Sequence, residues 1–220
     1  MFKITQQDYD VIVFLTRLVY YDLEYPEPFH CVDKIEIGKG LKINIFDMDE
    51  YSLFIICGTN SLVDWMANIK VALGIMPHQY QQAYYYIKNN APHHNKPIVI
   101  AGHSLGGGIA EYVASCLYYH DNVICLTFNG CGCCHLIHPI LVKYHGVYNI
   151  VTSKDVLNCI VLNIPFIKRY LQHTGKVIVL EDNEHKFLSV GSHCNFKLFC
   201  KLKVEDLYKE VVITHENKSW

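Results

Sequence analysis

A serine sits between glycines directly after an apolar run: Gly102-His103-Ser104-Leu105-Gly106 follows PIVIA at 97–101. The G-x-S-x-G spacing suits a sharp strand-to-helix turn, where residues two before and two after the serine must be almost without side chains. Held in a strained backbone conformation, such a serine presents its hydroxyl clear of the turn, where it can attack an acyl carbon. Gly107, Gly108 and Ala110 let the helix that follows press closely on the strand. The Leu105 N–H and the start of that helix aim at the place where an oxyanion develops. A glycine-rich turn around a phosphate is the other role for the bare pattern. The strand, the helix and the small residues in register favour the nucleophile.

Serine is a poor nucleophile until a histidine takes its proton, and the histidine needs a carboxylate to fix its tautomer. On a strand–turn–helix elbow the chain order is serine, then acid, then histidine. Asp155 lies 51 positions after Ser104 and three after the apolar run Val147–Thr152, at the carboxyl end of an expected strand. Asp121, at a helix-to-strand turn, and Asp182, close to the end of the last expected strand, are weaker alternatives. Capping the next segment is the other role open to Asp155. Two histidines follow the run Lys176–Leu180: His185, flanked by Glu184 and Lys186, and His193, with Phe196 three residues on. His193 is preferred as base, with its Nε2 within about 3.5 Å of Ser104 Oγ. Spacing alone leaves both open.

These residues need strands to carry them. Thr5 with Asp8 caps an N-terminal helix whose apolar face is Val11, Phe14, Leu15 and Leu18. Strands are expected at 34–36, 41–46 and 51–57, then helices at 60–70 and 77–88. A strand at 97–101, a helix at 105–119, strands at Val123–Phe128, Val147–Thr152 and Lys176–Leu180, and a helix at 204–212 complete the series. That alternation predicts an α/β fold with a mostly parallel central sheet and helices on both faces, folded as one domain over 1–220. Half of the 220 residues are hydrophobic and 18% are charged, a globular composition. The net charge of −2 provides no basic field for nucleic acid.

Beyond the elbow, several longer stretches point to a family. GHSLGGGIA at 102–110 resembles the elbow of the fungal-type (class three) lipase family of α/β-hydrolases. FIICGTNSLVDWMANI at 54–69 is similar to that family's strand, oxyanion loop and tryptophan-containing segment. VYNIVTSKDVL at 147–157 resembles its aspartate-bearing strand, and TGKVIVLED at 174–182 its last strand. The matches run in order from about 40 to 200. They imply a serine carboxylester hydrolase acting on fatty-acyl esters through an acyl-enzyme, with Asp155 as acid and His193 as base. They further imply Thr59 as the second oxyanion donor beside Leu105, and Trp65 and His103 beside the substrate. For His103 a structural place beneath the elbow is the alternative. The apolar segment from Leu62 to Met76 borders a lid over the acyl pocket in this family, and core packing is its other reading. The chain departs from the family at Pro77-His78-Gln79-Tyr80, where a histidine usually precedes Gly-Phe. It departs again at NGCGCC (129–134), where the family carries a Gly-x-Pro-Arg type of loop.

Ten cysteines without a regular framework, several within apolar runs, read as reduced thiols. Cys131, Cys133, Cys134, His135 and His138 are spaced C-x-C-C-H-x-x-H, which is not the paired C-x-x-C that wraps a tetrahedral ion. No metal or cofactor is expected, and a cysteine-rich wall of the cleft is preferred. The N-terminus, with Asp8 and Asp10, lacks the pattern of a signal peptide. The longest stretch free of Asp, Glu, Lys and Arg, 122–142, is broken by histidines, asparagines, glycines and Pro139, which argues against a membrane span. The expectation is a cytoplasmic enzyme whose partner is a lipid or other acyl ester, with peripheral contact to a lipid surface and none with nucleic acid. A non-catalytic lipase-fold module that binds lipid or protein, and an acyltransferase using the same triad, are the competing readings.

Overall fold

The computed structural model of the chain describes residues 2–37, 41–57, 78–90, 96–117, 122–133, 146–156, 173–185 and 189–209. Within them, β1 (Cys31–Ile37), β2 (Leu41–Asp47) and β3 (Ser52–Cys57) pair antiparallel. β3 then pairs in parallel with β4 (Ile98–His103), followed by β5 (Val123–Phe128), β6 (Val147–Thr152) and β7 (Lys176–Leu180). Neighbours in the sheet follow chain order from β1 to β7. The expected helix at 60–70 and the proposed lid up to Met76 lie outside the described residues.

Strand residues alternate between two faces, and over β3 to β6 both faces are buried. Leu53, Ile55 and Cys57 of β3 face one layer, while Phe54 and Ile56 face the other; Val99 and Ala101 of β4 likewise oppose Ile98 and Ile100. The first layer holds α1 (Gln6–Tyr20), which contributes Tyr9, Ile12, Leu15 and Val19. The second holds α2 (His78–Asn90), through Tyr80, Ala83 and Ile87, and α3 (Leu105–Cys116), through Ile109, Ala110, Val113 and Ala114. Each large side chain fully buried this way contributes about 1.5–3 kcal/mol.

α1 starts as its sequence demands. The Thr5 hydroxyl accepts the Asp8 N–H (3.2 Å), and the Asp8 carboxylate accepts the Thr5 N–H (2.9 Å). Its buried face is turned from the expected one. Ile12 and Val13 are covered, whereas Phe14 is 37% exposed and rests against Phe29 with ring centroids 6.1 Å apart. Three short helices close the same layer: α4 (Val190–His193), α5 (Phe196–Phe199) and α6 (Glu205–Tyr208). α6 is a single turn rather than the expected 204–212, and 210–212 are outside the described residues. The Tyr9 hydroxyl donates to the Phe199 carbonyl (3.0 Å), and the Ile4 N–H donates to the Tyr208 hydroxyl (2.9 Å), so both terminal segments pack as one layer.

Candidate active site

β4 ends at His103 and α3 begins at Leu105, which leaves Ser104 alone to make the turn, with φ 57° and ψ −126°. A non-glycine residue held there costs of order 1–3 kcal/mol and persists only where its surroundings impose it. Those surroundings are visible. The Ser104 N–H donates to the Phe128 carbonyl (3.1 Å), and the Ser104 carbonyl accepts from Gly108 N–H (3.2 Å). A methyl group on Gly102 would collide with the Gly106 carbonyl, and one on Gly106 with the Ile56 carbonyl. The glycine spacing is therefore a packing requirement: α3 enters against the backbone of β3 and β4. Leu105 is the first residue of that helix, so its N–H is among the unpaired donors at its N-terminus.

Asp155 follows β6 by three residues and is completely buried. Its N–H donates to the Thr152 carbonyl (3.1 Å), and it forms a parallel bridge with Ser189. That bridge delivers α4, whose first turn is capped by the Ser189 hydroxyl accepting the Ser192 N–H (3.0 Å). His193, the last residue of α4, is fully buried, and its Nδ1 lies 2.7 Å from Asp155 Oδ1. With Nδ1–H donated to the carboxylate, the free lone pair of the ring is on Nε2. Nε2 is buried and makes no hydrogen bond among the described residues, so the expected bond to Ser104 Oγ is not formed. Catalytic hydrogen bonds are often long or misaligned before substrate binds.

The histidine and aspartate passed over as base and acid pair with each other. His185 Nδ1 lies 2.8 Å from Asp182 Oδ2, and Asp182 Oδ1 accepts the Glu184 and His185 N–H groups (2.9 and 3.2 Å). Burial raises the Asp182 carboxyl, but hydrogen bonds from Ser192, His185 and the two amides outweigh it and bring the pKa to about 2. Two Asp–His pairs thus stand at the carboxyl end of the sheet. Only His193 is in ring contact with His103, the residue before Ser104, at 4.7 Å between centroids, and its carbonyl lies 2.8 Å from His103 Nε2.

His103 is 2% exposed and packed among Tyr20, His193 and Phe196. Burial, and then the neighbouring His193, hold its pKa well below the ordinary histidine value, so it stays neutral and donates through Nε2. Packing of this kind favours the structural role over contact with substrate. Trp65, Thr59, Cys134, His135 and His138 lie outside the described residues. Cys131 and Cys133 are buried, with Cys131 Sγ 3.7 Å from the Tyr80 hydroxyl. Burial pushes the Cys131 thiol up to about 12 and the Cys133 thiol up as well, so neither is a ready nucleophile or metal ligand.

Two arrangements had no counterpart in the sequence reading. Asn129, just after β5 with φ 44°, is fully buried and hydrogen-bonds to Thr152 and to the His193 carbonyl. The signal was present, since an asparagine followed by a glycine at the end of a central parallel strand is where site residues collect. Glu111, seven residues beyond Ser104 on α3, is completely buried. Its carboxylate accepts the Thr174 N–H and lies 2.9 Å from His173 Nδ1. A lone acidic residue amid a glycine- and alanine-rich helix was the only hint of it.

Comparison with known proteins points to the same fold. A family model described as a Tle-like phospholipase domain matches residues 32–140. The extracellular phospholipase A1 of Serratia liquefaciens is 34% identical over 97 residues, which cover 44% of this chain and 29% of that protein. The chain thus spans less than a third of the length of this curated relative. Among solved structures, the Rhizomucor miehei lipase–propeptide complex superposes with a TM-score of 0.55 at 13% identity, over 93% of this chain and 78% of that one. A mutant form of MDLA from Penicillium cyclopium gives 0.58 at 12% identity, over 84% and 83%. Among the described residues no helix is long and apolar enough to cross a membrane. The chain has the α/β fold of these fungal lipases, and its 32–140 stretch matches Tle-like phospholipase domains.

Proposed function

We propose that the chain is a serine carboxylester hydrolase for fatty-acyl esters, glycerophospholipids foremost and acylglycerols next, working as one domain over 1–220. Ser104 is the nucleophile, His193 the base and Asp155 the acid. Leu105 and Thr59 N–H groups hold the oxyanion, and Trp65 borders the acyl chain. The observation that carries this reading is the buried 2.7 Å Asp155–His193 pair, tied through His103 to a serine held at positive φ. Ser104 Oγ bonds to the ester carbon while its proton passes to His193 Nε2. The tetrahedral adduct then collapses, and the leaving alkoxide takes that proton from Nε2. Water repeats the sequence on the acyl-enzyme, releasing the fatty acid and restoring Ser104. Nothing in this cycle needs a metal or cofactor.

The phospholipid preference rests on the Tle-like match and on the phospholipase A1 relative. A cytoplasmic setting rests on the described cysteines all being thiols, although the Serratia relative is by name extracellular. The unbonded Nε2 of His193 favours one rival, a lipase-fold module that binds lipid without cleaving it. Labelling with a serine-reactive fluorophosphonate, alongside hydrolysis of dispersed phosphatidylcholine, separates the two. The reading expects labelling and fatty-acid release, both abolished by Ser104→Ala. A wild-type protein that binds the vesicles yet neither labels nor hydrolyses would replace the enzyme with the module.

A further inference from the structure

Asn129 lies where the segments that carry the three proposed catalytic residues meet, and its side chain bonds two of them. Its own chain neighbour, Phe128, accepts the Ser104 N–H (3.1 Å). Its side-chain oxygen accepts the Thr152 N–H (2.8 Å), at the end of the strand that leads to Asp155. Its Nδ2 donates to the His193 carbonyl (2.9 Å), with weaker approaches to Thr152 Oγ1 (3.2 Å) and the Ser192 carbonyl (3.3 Å). The residue is wholly buried, and its positive φ turns the chain so that the amide reaches back between β6 and α4. A buried amide with both ends satisfied in this way is rigid, because either rotation would leave an unpaired polar group at a cost of about 1–3 kcal/mol.

We propose that Asn129 is a positioning residue for the reaction: it registers the base-bearing helix against the acid-bearing strand, beside the strand end that anchors the nucleophile. This rests on the triad reading above. Asp155 fixes the His193 ring, whereas Asn129 fixes the His193 backbone, and both constraints are needed to aim Nε2. A displacement of about 1 Å in a reacting group can lower turnover on the order of a hundredfold.

The test uses Asn129→Gly, which tolerates the positive φ, and Asn129→Asp, which keeps the acceptor for Thr152 but loses the donor to His193. For both, circular dichroism should match wild type. Turnover on a short-chain ester should fall roughly 10- to 100-fold with KM nearly unchanged. In Asn129→Asp the added carboxylate near His193 should move the acid limb of the pH–rate profile upward. The His193 Nδ1 proton, shared with Asp155, should give a downfield NMR resonance in wild type that broadens or disappears in both variants. Turnover that falls only as the folded fraction falls, with an unmoved pH profile and an intact resonance, would overturn the proposal. The resonance can be read whether or not the protein cleaves esters. A wild type without activity would therefore sink the hydrolase reading, while the positioning claim would still be decided.

Discussion

At the scale of single residues, the proposed acid and the histidine beside the serine leave different things for experiment. Asp155 makes a 2.7 Å bond to a buried imidazole, so Asp155→Asn should keep the packing but invert the tautomer, leaving a proton on the His193 Nε2 that must accept one from Ser104. Turnover should drop on the order of ten thousandfold, with Ser104→Ala on the order of a millionfold, both read from steady-state ester hydrolysis. A crippled Asp182→Asn beside a silent Asp155→Asn would reassign the acid. His103 offers a subtler experiment. Its folded pKa is depressed, so below an unfolded value of about 6.5 the unfolded chain binds a proton that the folded one refuses. Stability from this group is present above that value and is lost as pH falls. His103→Gln keeps an N–H for the His193 carbonyl but cannot titrate. Urea unfolding of the variant should therefore fall off less between pH 7 and pH 5 than that of wild type.

At the scale of elements, the elbow was legible because local sterics demand it. Gly102 and Gly106 must lack side chains wherever a helix leaves a parallel strand this tightly, and that need is written in four residues of spacing. Gly106→Ala would press a methyl into the Ile56 carbonyl and lever α3 off β3, costing at least about 1–3 kcal/mol in a denaturant melt. The face of α1 was less legible, since Val11 and Phe14 are as apolar as Ile12 and Val13 and only the angle of docking on the sheet separates them. The buried Glu111 was less legible still. Its carboxylate ties α3 to the turn before β7 through Thr174 and His173, so Glu111→Ala would strand the Thr174 N–H in the interior and remove the contact to His173. A loss of about 3–5 kcal/mol is expected by urea titration, and a loss below half a kilocalorie would show the pair to be incidental.

At the scale of the whole molecule, the order of strands could be read from the alternation of apolar runs and turns, and the sheet follows it. The choice between His185 and His193 could not be read. Asp182 is a local partner three residues before His185, whereas His193 meets Asp155 only once α4 has folded against the end of β6. Asp182 makes this outer pair an acid-sensitive part of the molecule. With a folded pKa of about 2 against an ordinary value near 4, its contribution is present above pH 4 and is lost as pH falls toward 2. Asp182→Asn should therefore be less stable than wild type at pH 7, with the gap closing between about pH 5 and pH 2. A gap that stays constant with pH would mean that Asp182 acts by shape alone.

Because the parts of the proposed site lie far apart along a sheet whose neighbours follow chain order, they do not arrive together during synthesis. Ser104 is translated 89 residues before His193, on the order of ten seconds at ordinary rates of synthesis. For the first 51 of those residues the emerging chain holds a serine with neither acid nor base, and for the rest it still lacks the base. By this ordering, hydrolytic competence would switch on only when the last layer of the fold seats itself against α1.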